Sequence, residues 1–191
     1  MAIHSRLSPL DDTSMSDAQR EVLSEILSGP RGNLDGPFLA WIHSPQLANH
    51  AQRLGAFCRY ATGLELRLSE LAILVTAAWW KSQAEWQIHA PIAQQAGLSS
   101  QVIETLRLEQ TPDFIKADEQ LIYRFTRALY ETRRVDEAVY AEAVAMWGES
   151  VVVELVGVLG YYALVAMTLN TFAVRRDSAA PLPFDEPTPT A

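Results

Sequence analysis

Three side chains in one apolar stretch have types and spacing suited to proton transfer: Glu70, Glu85 and His89. Glu85 and His89 are four residues apart, so on a helix they share a face, and Ser82 falls on that face too. A carboxylate beside an imidazole orients the ring and supports its protonated form, which is the minimal equipment for general acid–base catalysis near neutral pH. Glu70 lies nineteen residues before His89. In one straight helix the two would stand roughly 28 Å apart. If the chain reverses near Ser82, two antiparallel helices bring the axial offset down to roughly 7 Å. A joint role for Glu70 and His89 therefore requires a break at 81–84, which composition alone does not decide.

Plainer readings stand beside this one. Glu70 follows Ser69 at a helix start, where a carboxylate favours the helix dipole. Glu85 can pair with Lys81 on a solvated face, worth at most about 0.5 kcal/mol. His89 can be a packed helical histidine, and Trp79, Trp80 and Trp86 read as core. Pro91 kinks the His89 helix or opens the next piece. No metal site is expected: there is no HExxH and no cysteine pair, and His4, His43 and His50 are isolated. Ser82 near His89 suggests a nucleophile–base pair only weakly, because no glycine-flanked elbow surrounds it.

The elements that must position these residues are helices. Ser16 and Gln19 have capping-box spacing ahead of Val22, Leu23, Ile26 and Leu27, a first helix of about three turns ended by Gly29-Pro30. A glycine- and proline-rich loop leads to a short apolar piece at 38–43. Ser44-Pro45 reads as an N-cap followed by Pro at N1, opening a helix to about Thr62 with Gly63 at C′. Apolar helical runs follow over 68–80 and 83–96, the second ended by Gly97. Ser99 caps a short helix to 108, a long helix runs from 113 to 133, and Asp136 caps one ending at Trp147-Gly148. The last helix spans 149–174. No segment alternates with period two between hairpin turns. The expected fold is all-α, a single helical domain of about eight helices over 16–175. Residues 1–15 are expected to be irregular, and the Pro-rich tail over 176–191 disordered.

The last helix is apolar on nearly every side and long enough to span a bilayer. It lacks basic anchors on its N-terminal side, so it reads as buried in the core or in a subunit interface, with Gly157 and Gly160 permitting close approach. Composition narrows the function classes. The 191 residues are 49% hydrophobic and 20% charged, in the soluble globular range. A net charge of −8 repels phosphate backbones, so no nucleic-acid partner is expected. No membrane partner is expected either, and the N-terminus lacks a signal-peptide pattern, so the expected compartment is the cytoplasm. One cysteine, Cys58, excludes an intrachain disulfide, a CxxC pair and a multi-cysteine zinc site.

The run from Glu70 through Glu85-Trp86-x-x-His89 to Ala93 and Gly97-Leu98-Ser99 resembles the carboxymuconolactone decarboxylase family, part of the alkylhydroperoxidase D-like superfamily. Gly36-Pro37-Phe38 with Ser44-Pro45, and Glu154 through Tyr161-Tyr162 to Asn170, extend the resemblance over roughly 15–175. In the superfamily's peroxidase branch a Cys-x-x-Cys precedes the histidine. Aligned on His89, its cysteines would stand at Ser82 and Glu85, and both are absent here, removing the thiol chemistry of that branch.

The resemblance therefore implies the decarboxylase branch: a lyase acting on a small carboxylated lactone or a related intermediate of aromatic-compound catabolism, with no cofactor. His89 is then the expected proton donor, with Glu70 or Glu85 setting its tautomer, and Ser82 and Trp86 are expected at the substrate. An anionic substrate calls for an arginine, with Arg53, Arg59 and Arg67 near in sequence. The alternatives are an alkylhydroperoxidase-like member with lost or altered redox activity, and a non-catalytic oligomeric small-molecule-binding protein. A homo-oligomer, trimer or hexamer, is expected from the family resembled and from the apolar last helix.

Overall fold

The computed structural model describes residues 3–11, 13–30, 32–176 and 181–186. Among them are eight helices: α1 (Asp17–Ser28), α2 (Phe38–Trp41), α3 (Pro45–Tyr60), α4 (Leu66–Trp79), α5 (Gln83–Gln95), α6 (Ser100–Arg107), α7 (Ala117–Thr132) and α8 (Glu137–Thr171). The all-α expectation holds, with one small addition. Ile3–His4 (β1) pairs antiparallel with Arg175–Arg176 (β2), so the N-terminal segment is tied to the end of α8.

The bundle is organised around α4, which packs against α5, α7 and α8. Every residue of α4 from Arg67 to Ala78 is buried, as expected of a helix apolar on all sides. Its hydroxyls are satisfied within the helix or nearby: Thr76 Oγ1 donates to the Ala72 carbonyl at 2.9 Å and meets the Tyr130 hydroxyl at 2.9 Å.

Helix ends explain most of the agreement with the sequence and most of the differences. The Ser16/Gln19 capping box forms in both directions. Ser99 and Asp136 accept from the backbone N–H groups of Gln101 and Val139. Ser44 precedes Pro45 as expected but makes no side-chain cap bond. Gly63 is not the left-handed C′ residue of α3, which ends at Tyr60. It serves close approach instead: a Cβ there would meet Val151 Cγ2 at 2.7 Å, and its N–H donates to Glu154 Oε2 at 2.6 Å. The helix before Trp147 and the last helix run on as one element, broken at Gly148 (φ 80°, ψ 160°).

Two tertiary expectations change. Among the described residues, nothing lies within 4 Å of where a Cβ would stand on Gly157 or Gly160, so neither serves a close helix contact inside the bundle. The tail is not wholly extended. Gln83 Nε2 donates to the Phe184 carbonyl at 2.7 Å, and Phe184 N–H donates back to Gln83 Oε1 at 3.0 Å. The Phe184 ring meets Trp86 edge-on at 5.2 Å. The buried Phe184 ring, these two bonds, a third from Arg107 to the Pro183 carbonyl and the Arg175–Glu186 ion pair anchor 181–186, whereas 177–180 and 187–191 lie outside the described residues.

Candidate acid–base site

The chain does reverse at Ser82, and backbone geometry shows how. Trp80 caps α4, Lys81 takes the left-handed conformation (φ 49°), Lys81 N–H bonds the Ala78 carbonyl and Ser82 N–H bonds the Ala77 carbonyl. That is a Schellman closure, built on a lysine where glycine is usual. Asn170 on α8 donates to the Trp80 carbonyl at 2.6 Å and ties the turn to the bundle. α5 then runs back along α4.

The reversal brings Glu70 and His89 together. His89 Nδ1 lies 2.7 Å from Glu70 Oε2, with both side chains buried. With Glu70 ionised, Nδ1–H donates to it, which fixes the tautomer and leaves Nε2 directed elsewhere. The Tyr162 ring meets the imidazole edge-on at 5.1 Å and limits its rotation.

Glu85 is buried one turn before His89. It does not pair with Lys81, whose ammonium meets Glu109 at 3.0 Å. Burial pushes the Glu85 carboxyl well above the usual carboxylate range. The Ser82 hydroxyl offsets part of that rise, and the Glu70 charge adds to it. Neither Glu85 oxygen, nor Ser82 Oγ, has a hydrogen-bond partner of ordinary geometry among the described residues. A carboxyl in such a place is shifted toward its neutral, proton-carrying form.

A cavity of about 20 Å³ adjoins the cluster, lined by Glu85, His89, Tyr161, Tyr162, Arg59 and the loop at Asp35 and Gly36, among others. That is enough space for one water, which the polar walls would hold. The structure also separates the three arginines near in sequence. Arg53 faces Glu25, and Arg67 is held by Asp118 and Glu119. Arg59 lines the cavity and makes no ion pair among the described residues; its guanidinium lies over the Tyr60 ring.

Of the residues expected in the site, Glu70, Glu85 and His89 converge. Ser82 sits beside Glu85, but neither Ser82 nor Trp86 lines the cavity. Trp86 turns to Phe184. Trp79, expected in the core, is 39% exposed, stacked on Tyr130 under the Arg127 guanidinium. Tyr161, Tyr162 and the loop at Asp35 and Gly36 join the site, where the sequence places Tyr161, Tyr162 and Gly36 only in the wider resemblance. Two adjacent tyrosines in a mostly aliphatic run are the signal for them in the sequence.

No family model matches the sequence, and no curated protein matches it. Among solved structures, the chain is similar to one described as the alkylhydroperoxidase AhpD core of an uncharacterized peroxidase-related protein from Ralstonia eutropha JMP134. The TM-score is 0.71 at 16% identity, over 91% of this chain and 92% of that one. At that identity the likeness carries the fold: this chain has the alkylhydroperoxidase D-like helical fold.

Proposed function

We propose that the chain is a cofactor-independent acid–base catalyst, a lyase that removes CO₂ from a small carboxylated, unsaturated lactone or a close chemical relative. The observation that carries this is the buried Glu85, its carboxyl pushed up by burial, beside a histidine whose Nδ1 lies 2.7 Å from Glu70. The bond from the ring carbon to the carboxylate breaks, its electron pair enters the conjugated enolate, and CO₂ leaves. Arg59 lies at the cavity wall, where a cation stabilises the developing oxyanion. Glu85 delivers its proton to carbon, and His89 returns one to Glu85 from solvent through Nε2. Each turnover consumes one proton and releases one CO₂. This division of labour is favoured over His89 as the direct donor because burial pushes the Glu85 carboxyl up, toward its protonated form.

Peroxide reduction is disfavoured by the residues. Ser82 and Glu85 stand where the thiol pair would be, and Cys58 is buried on α3. The test is CO₂ release from the lactone acid by the purified chain. E85Q and H89Q should lower turnover by about 10²–10⁴ with unchanged circular dichroism. Binding without CO₂ release would make it a ligand-binding protein instead.

We propose further that the chain acts as a homo-oligomer, a trimer or hexamer by the family resembled. Val153 and Val156, exposed by 71% and 47% on α8, support an unfilled apolar contact. A monomer mass in light scattering would contradict it.

A further inference from the structure

The cavity beside Glu85 and His89, about 20 Å³, has room for one water but not for a lactone acid. A substrate-sized space lies next to it. A cleft of about 550 Å³, in the ordinary range for small-molecule sites, opens where the α4–α5 turn meets the end of α8, the N-terminal segment and the docked tail. Leu169 belongs to the walls of both spaces. On α5, Gln83 and Ala84 line the cleft while Glu85, the next residue, lines the cavity. Another cleft, about 400 Å³ and bounded by Tyr123 and Arg127, shares no residue with the cavity.

The cleft has a chemistry of its own. Trp79 and Trp80 contribute to its wall, and Arg6, Lys81 and Arg175 bring three cations to it. Its carboxylates come from the tail: Glu186 is engaged by Arg175, and Asp185 acts on the Arg107 guanidinium. Lys81 is paired with Glu109. Arg6 makes no ion pair among the described residues, although the backbone of its segment is fixed by Arg6 N–H to the Phe172 carbonyl at 2.9 Å. A cation with no ion-pair partner among the described residues, beside partly exposed indole surface, fits a small, flat, monoanionic carboxylate.

We propose that this cleft is the receiving chamber for the carboxylate substrate, and that Leu169 is the partition it must displace to reach Glu85 and His89. This rests on the acid–base reading for the identity of the inner site, but its test does not depend on turnover. Leu169 is nearly fully buried and closes the inner cavity between turnovers, which keeps bulk water from the neutral Glu85. Displacing one leucine rotamer is a small motion compared with opening the bundle.

The probe is a saturated γ-lactone carboxylate, which lacks the conjugation needed to lose CO₂. Calorimetry should show it binding the full chain, with R6Q weakening it by about tenfold. Bound probe should shift the His89 ring resonances in the wild type. L169W, or L169F if the larger residue does not fold, should abolish that shift while leaving calorimetric binding intact. Binding unaffected by R6Q but lost in R59Q would overturn the proposal and place entry on the Arg59 side, as would a His89 shift that persists in the folded L169 variant. If the wild type binds the probe in this pattern yet releases no CO₂ from the unsaturated acid, the lyase reading fails and the chamber stands.

Discussion

Two clusters of buried charge sit on α4, and they are built on opposite principles. At its start, Arg67 reaches Asp118 Oδ2 and Glu119 Oε1, each at 2.6 Å, on α7. The guanidinium is raised further by Asp118 and Glu119, and Asp118 is held below its usual range by Arg67. Every strong charge there has an opposite partner. One turn along, Glu70 spends its charge on His89, and Glu85 has no such partner. The first cluster ties α4 to α7. The second stores a proton in a place where ionisation is penalised. Burial alone does not mark a functional carboxylate; burial without compensation does.

The contrast is testable at graded strength. R67M should destabilise the fold by about 3–5 kcal/mol in chemical denaturation, because it leaves Glu119 buried without its guanidinium. E85Q, which removes an equally buried carboxyl, should not destabilise at neutral pH. An equal loss in both would erase the distinction.

E70Q should keep the shape of the His89 contact but remove its charge, lowering turnover by about 10²-fold with little change in melting temperature. If E70Q is fully active, Glu70 belongs with the Arg67 cluster as structure.

The pH dependence should also run in opposite senses. Glu85 holds its proton in the folded state above the pH at which an unfolded glutamate, near 4.5, releases it. Its contribution is complete below that pH and is lost as pH rises towards the folded value, by up to about 1.4 kcal/mol per pH unit. E85Q should flatten that decline. Asp118, with its lowered value, contributes above its unfolded range and loses that contribution as pH falls. R67M should therefore weaken the acid limb, and urea midpoints across pH separate the two.

The smallest effect belongs to an exposed pair used as a control. R124Q, facing Glu142 at 2.8 Å on the surface, should change stability by no more than about 1 kcal/mol.

Much of the fold was legible because its signals are local. Capping residues at Ser16, Ser99 and Asp136 and the apolar runs between them located the helices to within a few residues. The reversal at Ser82 was not legible. Five helix ends carry a left-handed residue, at Lys81, Gly97, Glu109, Arg133 and Ala173, and only one of these is a glycine. A non-glycine residue there is held by the surrounding bundle, such as Asn170 on the Trp80 carbonyl, and no local pattern announces it. Glu85 and His89 were legible from their four-residue spacing, whereas their joining with Glu70 depended on that hidden turn. Arg59 was one of three equal arginines until tertiary contacts showed the other two occupied. The docking of Phe184 depends on Gln83 and Trp86, distant in sequence, and a proline-rich tail gives no sign of it.

The central claim is that Glu85 carries a proton at neutral pH next to the His89–Glu70 pair. Carbon-13 NMR of the side-chain carboxyl carbons, assigned with E85Q, reads it directly. The account predicts a Glu85 resonance at the protonated position at pH 7, absent from E85Q and unchanged through the range where ordinary glutamates titrate. A Glu85 resonance that titrates near 4.5, like an exposed glutamate, would contradict it.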